Sequence, residues 1–175
     1  EILGASPFMT SLLLGLMMIV GVLSVVLWQK LDVKLGSRKA YAISIVVYLI
    51  ASLPILFIET YAAAITVVIF MGVGFGGMLY FIYLLIADVI DEDEIETGVR
   101  REGTFFGITN FFMRLAMIAS IISVSLVFTT QGWEEYVPIN PENRDAVFFG
   151  IRLLMVIFPA IALGITLVCL YFYPF

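Results

Sequence analysis

The sequence predicts an all-α membrane protein of about five transmembrane helices. Three observations carry that prediction. Hydrophobic residues make up 62% of the 175 residues and charged residues only 13%, against roughly 45–50% and about 25% in a typical soluble domain. A water-soluble fold of this length must cover its surface with polar groups, and this chain carries too few of them. Finally, the apolar residues fall into long stretches, each able to cross a hydrocarbon core of about 30 Å at about 1.5 Å per residue. The stretches show no sustained period-2 alternation and are rich in Leu, Met, Ala and Ile, so helices are expected and strands are not.

Taken in order, the first predicted helix runs from about Pro7 to Trp28, with Pro7 where a helix start tolerates it. The second covers roughly Ala40 to Ile58, and the third roughly Tyr61 to Ile90. The fourth spans about Gly103 to Phe128 and the fifth about Ala146 to Phe172. They are expected to form a single transmembrane bundle. No short repeat or low-complexity segment interrupts them, and the one long irregular stretch is Gln131–Asp145, with Pro138 and Pro141. The chain begins Glu1-Ile2-Leu3 rather than with Met and shows no signal peptide, so it reads as a piece of a longer protein.

The connections orient the bundle. Between the first two helices lie Lys30, Lys34, Arg38 and Lys39, and between the third and fourth lie Arg100 and Arg101. The Glu59-Thr60 turn has no basic residue, and the Thr129–Asp145 loop has only Arg144. Basic residues accumulate on the cytoplasmic side, whereas Asp and Glu count for little, so the acids of Asp91–Glu96 do not oppose this assignment. The expected localisation is a multi-pass protein of the cell membrane, with the Glu1 end outside and the Phe175 end cytoplasmic. Trp28, Trp133 and Tyr136 fall near the expected interfaces, where rings with a polar edge are favoured.

Composition also excludes. The net charge is −5 with no basic arm, so nucleic acid is not an expected partner. The single Cys169 allows neither an internal disulfide nor a CxxC site. Without histidine the chain cannot build HExxH, a Ser-His-Asp triad or the usual zinc sites. There is no P-loop, and the Gly72-Val73-Gly74-Phe75-Gly76-Gly77 match to GxGxxG lies inside an apolar helix with no strand before it. An intramembrane aspartyl protease needs two deep aspartates, and only Asp88 is marginally inside. Hence no enzyme, no metal and no organic cofactor is expected.

The informative residues are those that lipid disfavours. Arg114 lies about 16 Å into the fourth helix counted from Gly103, close to the bilayer midplane, where a charge costs at least ~2.5–3.5 kcal/mol. It is expected to face the bundle interior or a water-filled cavity, beside an acid or a ligand, although a purely structural ion pair would also account for it. Asn110 lies one turn earlier on the same face. Arg152 is near enough to the outer end of the fifth helix to snorkel. Asp88, near the inner end of the third helix, reads as a cation ligand or as an ordinary helix-end acid. The glycine run lets helix backbones approach closely, or permits a bend, and Gly103-Thr-Phe-Phe-Gly107 invites the same interpretation. Tyr80 and Tyr83 either line a polar cavity or are ordinary helix aromatics.

One segment is more specific. Ala87-Asp88-Val89-Ile90-Asp91-Glu92-Asp93-Glu94-Ile95-Glu96-Thr97-Gly98-Val99-Arg100-Arg101-Glu102-Gly103 resembles the cytoplasmic loop between the tenth and eleventh helices of the glycoside–pentoside–hexuronide:cation symporters, the melibiose permease-like group of the major facilitator superfamily. The Trp28–Lys39 stretch, with Gly36-Ser37-Arg38-Lys39, is similar to that family's loop between helices eight and nine. Phe111-Phe112-Met113-Arg114-Leu115 resembles its F-F-x-K-L in helix eleven, and Gly150-Ile151-Arg152 and Tyr173-Pro174 resemble the two ends of helix twelve. The resemblance covers essentially the whole chain and implies part of a carboxyl-terminal six-helix bundle.

The resemblance also implies a function: symport of a sugar coupled to Na⁺ or H⁺, by two halves rocking about a central site. Arg114 stands where the family has a lysine near the cation and sugar sites; it is bulkier and cannot lose its proton. The implied partners are the lipid bilayer, a small solute and an amino-terminal half that supplies the cation-binding aspartates. On this reading Arg114, Asn110, Tyr80 and Tyr83 line the cavity, and Asp88, Asp91, Arg100 and Arg101 form a cytoplasmic gate. Lysolipid carriers of the same superfamily, or a non-transporting membrane subunit used for docking or assembly, are the alternatives.

Overall fold

A computed structural model describes residues 7–58, 60–130 and 144–172. Its order is α1 (Pro7–Leu35), α2 (Ser37–Ser52) continued by a 3₁₀ segment (Leu53–Phe57), α3 (Tyr61–Thr97), α4 (Glu102–Thr130) and α5 (Arg144–Phe172). Five of these helical spans are long and apolar enough to cross a membrane, and no strand occurs among the described residues. The all-α membrane class follows. Trp133, Tyr136, most of the Gln131–Asp145 loop and Tyr173-Pro174 lie outside the described residues.

The helices outrun the apolar stretches. α1 continues past Trp28 through Gln29–Leu35, and α3 continues past Ile90 to Thr97. The expected eleven-residue loop between the first two helices is reduced to Gly36. Lys, Gln, Asp and Glu are tolerated in a helix interior once it has left the hydrocarbon. Nothing in Gln29–Leu35 breaks the hydrogen-bond ladder until Gly36, whose φ of 82° suits glycine alone. Its N–H still donates to the Asp32 carbonyl at 2.8 Å, and its carbonyl accepts from Ala40 N–H at 3.0 Å.

The chain groups into two compact units: Glu1–Leu85 with Pro159–Phe175, and Ile86–Phe158. In the first unit the glycine run of α3 is the packing surface. A Cβ on Gly72 would lie 2.8 Å from the Met17 carbonyl oxygen, and one on Gly76 would collide with the Gly21 carbonyl and the Ser24 hydroxyl. Toward α2, Gly74 abuts the Tyr48 backbone and Gly77 abuts Ser44. Close approach is therefore the role these glycines play here. Gly103 and Gly107, in contrast, have nothing within 4 Å of where a Cβ would stand.

Trp28 closes this packing. It is 2% exposed, its Nε1–H donates to the Val73 carbonyl at 2.8 Å, and its ring meets Phe81 edge-on at 6.1 Å. Trp28 thus packs into the core of this unit. Its polar edge is satisfied by an α3 carbonyl instead of by water. Ala40 and Phe81 are fully buried beside it, and Ser24 Oγ bonds the Gly21 carbonyl at 2.7 Å.

Candidate functional site

The second unit holds a charged cluster at the α3–α4 connection. α3 ends with Asp91, Glu92, Asp93, Glu94 and Glu96 in its last turns, where the negative end of the helix dipole disfavours acids. Gly98, at φ 71°, reverses the chain, and its N–H caps the helix by donating to the Glu94 carbonyl at 2.8 Å. The reversal brings the next two cations back over the acids. Arg100 Nη1 donates to Asp91 Oδ1 at 3.1 Å and to Glu94 Oε2 at 2.6 Å, while its Nε donates to Glu102 Oε1 at 2.5 Å. Arg101 forms a fork on Asp93, with Nη2–Oδ1 at 2.5 Å and Nε–Oδ2 at 3.0 Å.

These bonds hold the Arg100 guanidinium well above its ordinary pKa, through Glu102 first and Glu94 next. Of the residues expected in a gate, the structure joins Asp91 to Arg100; Arg101 pairs instead with Asp93. Asp88 is exposed one turn before Asp91 and is not without a partner. The sequence expects the acids of this loop to pair with Arg100 and Arg101 but singles out only Asp88 and Asp91, not Glu94, Glu102 or Asp93, because it treats the stretch as loop. Read as helix, Asp91 and Glu94 are one turn apart on one face.

Also within the second unit, Arg114 and Asn110 are on α4, both exposed. No residue of α4 from Glu102 to Leu126 is buried. Among the described residues Arg114 has neither an ion pair nor a hydrogen bond.

Tyr80 and Tyr83 belong to the first unit. Tyr80 is half-buried, its hydroxyl 3.4 Å from Asp32 Oδ2 near the end of α1, and its ring packs edge-on against Phe81 at 5.0 Å. Tyr83 is 58% exposed. At the same end of α1, Arg38 donates to the carbonyl of Tyr171, joining the start of α2 to the end of α5. Among the described residues no three His, Cys, Asp or Glu side chains are grouped to hold a metal ion.

Long apolar helices, with Arg114 in mid-span among the described residues, define a multi-pass membrane protein. The comparisons with known proteins agree. The family model described as MFS/sugar transport protein matches residues 1–175, and the chain belongs to that family. It is similar to the uncharacterized symporter sll1374 of Synechocystis, 29% identical over 154 residues that cover 84% of this chain and 28% of that protein. It is also similar to the uncharacterized symporter YjmB of Bacillus subtilis, 32% identical over 85 residues, 49% of this chain and 18% of that protein. The matched segment thus spans less than a third of either curated relative. No solved structure matches the chain. The symporter resemblance seen in the loop motif holds at the level of family.

Proposed function

We propose that this chain is part of the carboxyl-terminal half of a secondary transporter that couples uptake of a sugar or similar small solute to Na⁺ or H⁺. The observation that carries the reading is Arg114, a permanent cation in mid-span on a helix with no buried residue among those described from Glu102 to Leu126. A charge at that depth is stabilised only by an opposite charge, a polar ligand or water. The described residues offer none, and an amino-terminal half facing α4 is the natural source. Asn110, one turn away, extends the polar surface. The family match to sugar transport and the two symporter-named relatives support the solute class.

The Arg100–Arg101 cluster is the cytoplasmic gate. Exposed ion pairs hold weakly and exchange readily, which suits contacts that must break and re-form as two halves rock.

The test is uptake of a labelled galactoside or pentoside into vesicles bearing the full-length protein, with and without a Na⁺ or proton gradient. Arg114→Ala abolishes gradient-driven uptake at normal membrane abundance, and Arg114→Lys retains a part of it. Unchanged uptake by Arg114→Ala removes Arg114 from the mechanism. Absence of uptake by the wild-type protein, together with co-purification of a stoichiometric membrane partner, favours the docking-subunit reading.

A further inference from the structure

The outer face of α2 carries a stripe that the packing of the first unit does not use. Ala40, Ser44 and Ile45 are fully buried against their neighbours, while Ile43, Val46 and Ile50 are exposed on the opposite side. Lys39 heads this stripe at helical spacing, one turn before Ile43, and is itself exposed. From Lys39 to Ile50 the stripe is about 16 Å long, the hydrocarbon depth of one leaflet.

The exposed charges at its head are all of one sign. Lys34, in the last turn of α1, is exposed. Arg38 is fixed by its bond to the Tyr171 carbonyl at the end of α5. The one acid of this connection, Asp32, is half-buried and engaged by the Tyr80 hydroxyl at 3.4 Å. Lys39 thus heads an apolar stripe one leaflet long, with Lys34 and Arg38 in the same connection and the local carboxylate hydrogen-bonded to Tyr80.

We propose that this surface holds an anionic phospholipid, its phosphate between Lys34, Arg38 and Lys39 and its acyl chains along Ile43, Val46 and Ile50. Basic groups just outside a span attract anionic headgroups at roughly 1 kcal/mol each, equivalent to about fivefold in occupancy per group. A zwitterionic headgroup gains no net attraction from the same cations. The inference rests on the membrane-spanning fold, not on the transported solute.

The experiment is native mass spectrometry of the full-length protein, extracted in mild detergent from membranes reconstituted with equal phosphatidylglycerol and phosphatidylcholine. Phosphatidylglycerol should be retained preferentially by the wild-type protein. Lys34→Gln with Lys39→Gln should lower that retention more than tenfold, while Lys34→Arg with Lys39→Arg should keep it; Arg38 stays in place because it also braces α5. The proposal is overturned by equal retention of the two lipids, by undiminished retention in the Gln variant, or by equal loss in the Arg variant. Displacement of the bound lipid by glycerol 3-phosphate overturns it too, since the site would then serve a free phosphate. No retained lipid overturns it as well, as a stripe covered by protein would give.

Discussion

Arg100 touches three carboxylates drawn from both sides of the Gly98 turn, and this arrangement makes it separable from stability. The pairs are exposed, so salt screens them and each contributes little to the fold. Their electrostatic signature is a raised guanidinium pKa, set mainly by Glu102 and Glu94. A cation with a raised folded-state pKa stabilises below its unfolded value and loses that contribution only as pH rises through the folded value. For Arg100 that window lies above any working pH, so alkalinity alone leaves the cluster intact. Arg100→Gln is therefore expected to change uptake severalfold while the melting temperature stays where it was. Arg100→Lys, a single point charge, cannot hold all three carboxylates and recovers only part of the rate. A fall in melting temperature that matches the uptake loss would make Arg100 structural. At this scale the sequence was legible wherever a residue type is costly. Arg114 stands out in lipid whatever its neighbours. The packing of Trp28 was not legible, because spacing alone does not name the carbonyl its ring nitrogen reaches, Val73 at 2.8 Å.

Hydropathy marks where a chain leaves lipid, not where its hydrogen-bond ladder stops, and the helices differ from the apolar stretches for that reason. α3 has 37 residues, about 55 Å of helix against a hydrocarbon core of about 30 Å. Its charged end is still helix, which is why Asp91 and Glu94 share a face. The glycine run of α3 was legible as a surface for close approach, but which helices use it was not, since spacing alone names no partner. The packing makes its own prediction. A Cβ on Gly77 would stand 2.5 Å from Ser44 Cβ and 2.6 Å from Trp28 Cε2. Gly77→Ala should therefore destabilise by roughly 1–3 kcal/mol of overpacking, read as a lower melting temperature by circular dichroism in detergent. Gly103→Ala, with nothing within 4 Å, should leave the transition unmoved or slightly higher. Equal drops for the two variants would mean that close contact is not what Gly77 provides.

The chain belongs to the MFS/sugar transport protein family over residues 1–175, yet the matched segments span only 28% and 18% of two relatives. Fold class and family were legible because composition and one charged motif carry them. The cavity was not, because its proposed second wall is not in this chain. One feature of the first unit reaches beyond transport. Because α1 stays helical to Leu35 and α2 begins at Ser37, Lys30, Lys34, Arg38 and Lys39 are all held in helix, although a hydropathy plot draws them as an open loop. Arg100 and Arg101 lie between α3 and α4, outside any helix. A protease needs an extended segment of backbone, which a helix does not offer without unwinding. Among the cations of these two connections, trypsin is therefore expected to cut first at Arg100–Arg101 and to spare the richer basic stretch, as fragment masses over a digestion time course would show. Early cleavage after Lys30 or Lys34 would mean that this end of α1 unwinds readily in solution.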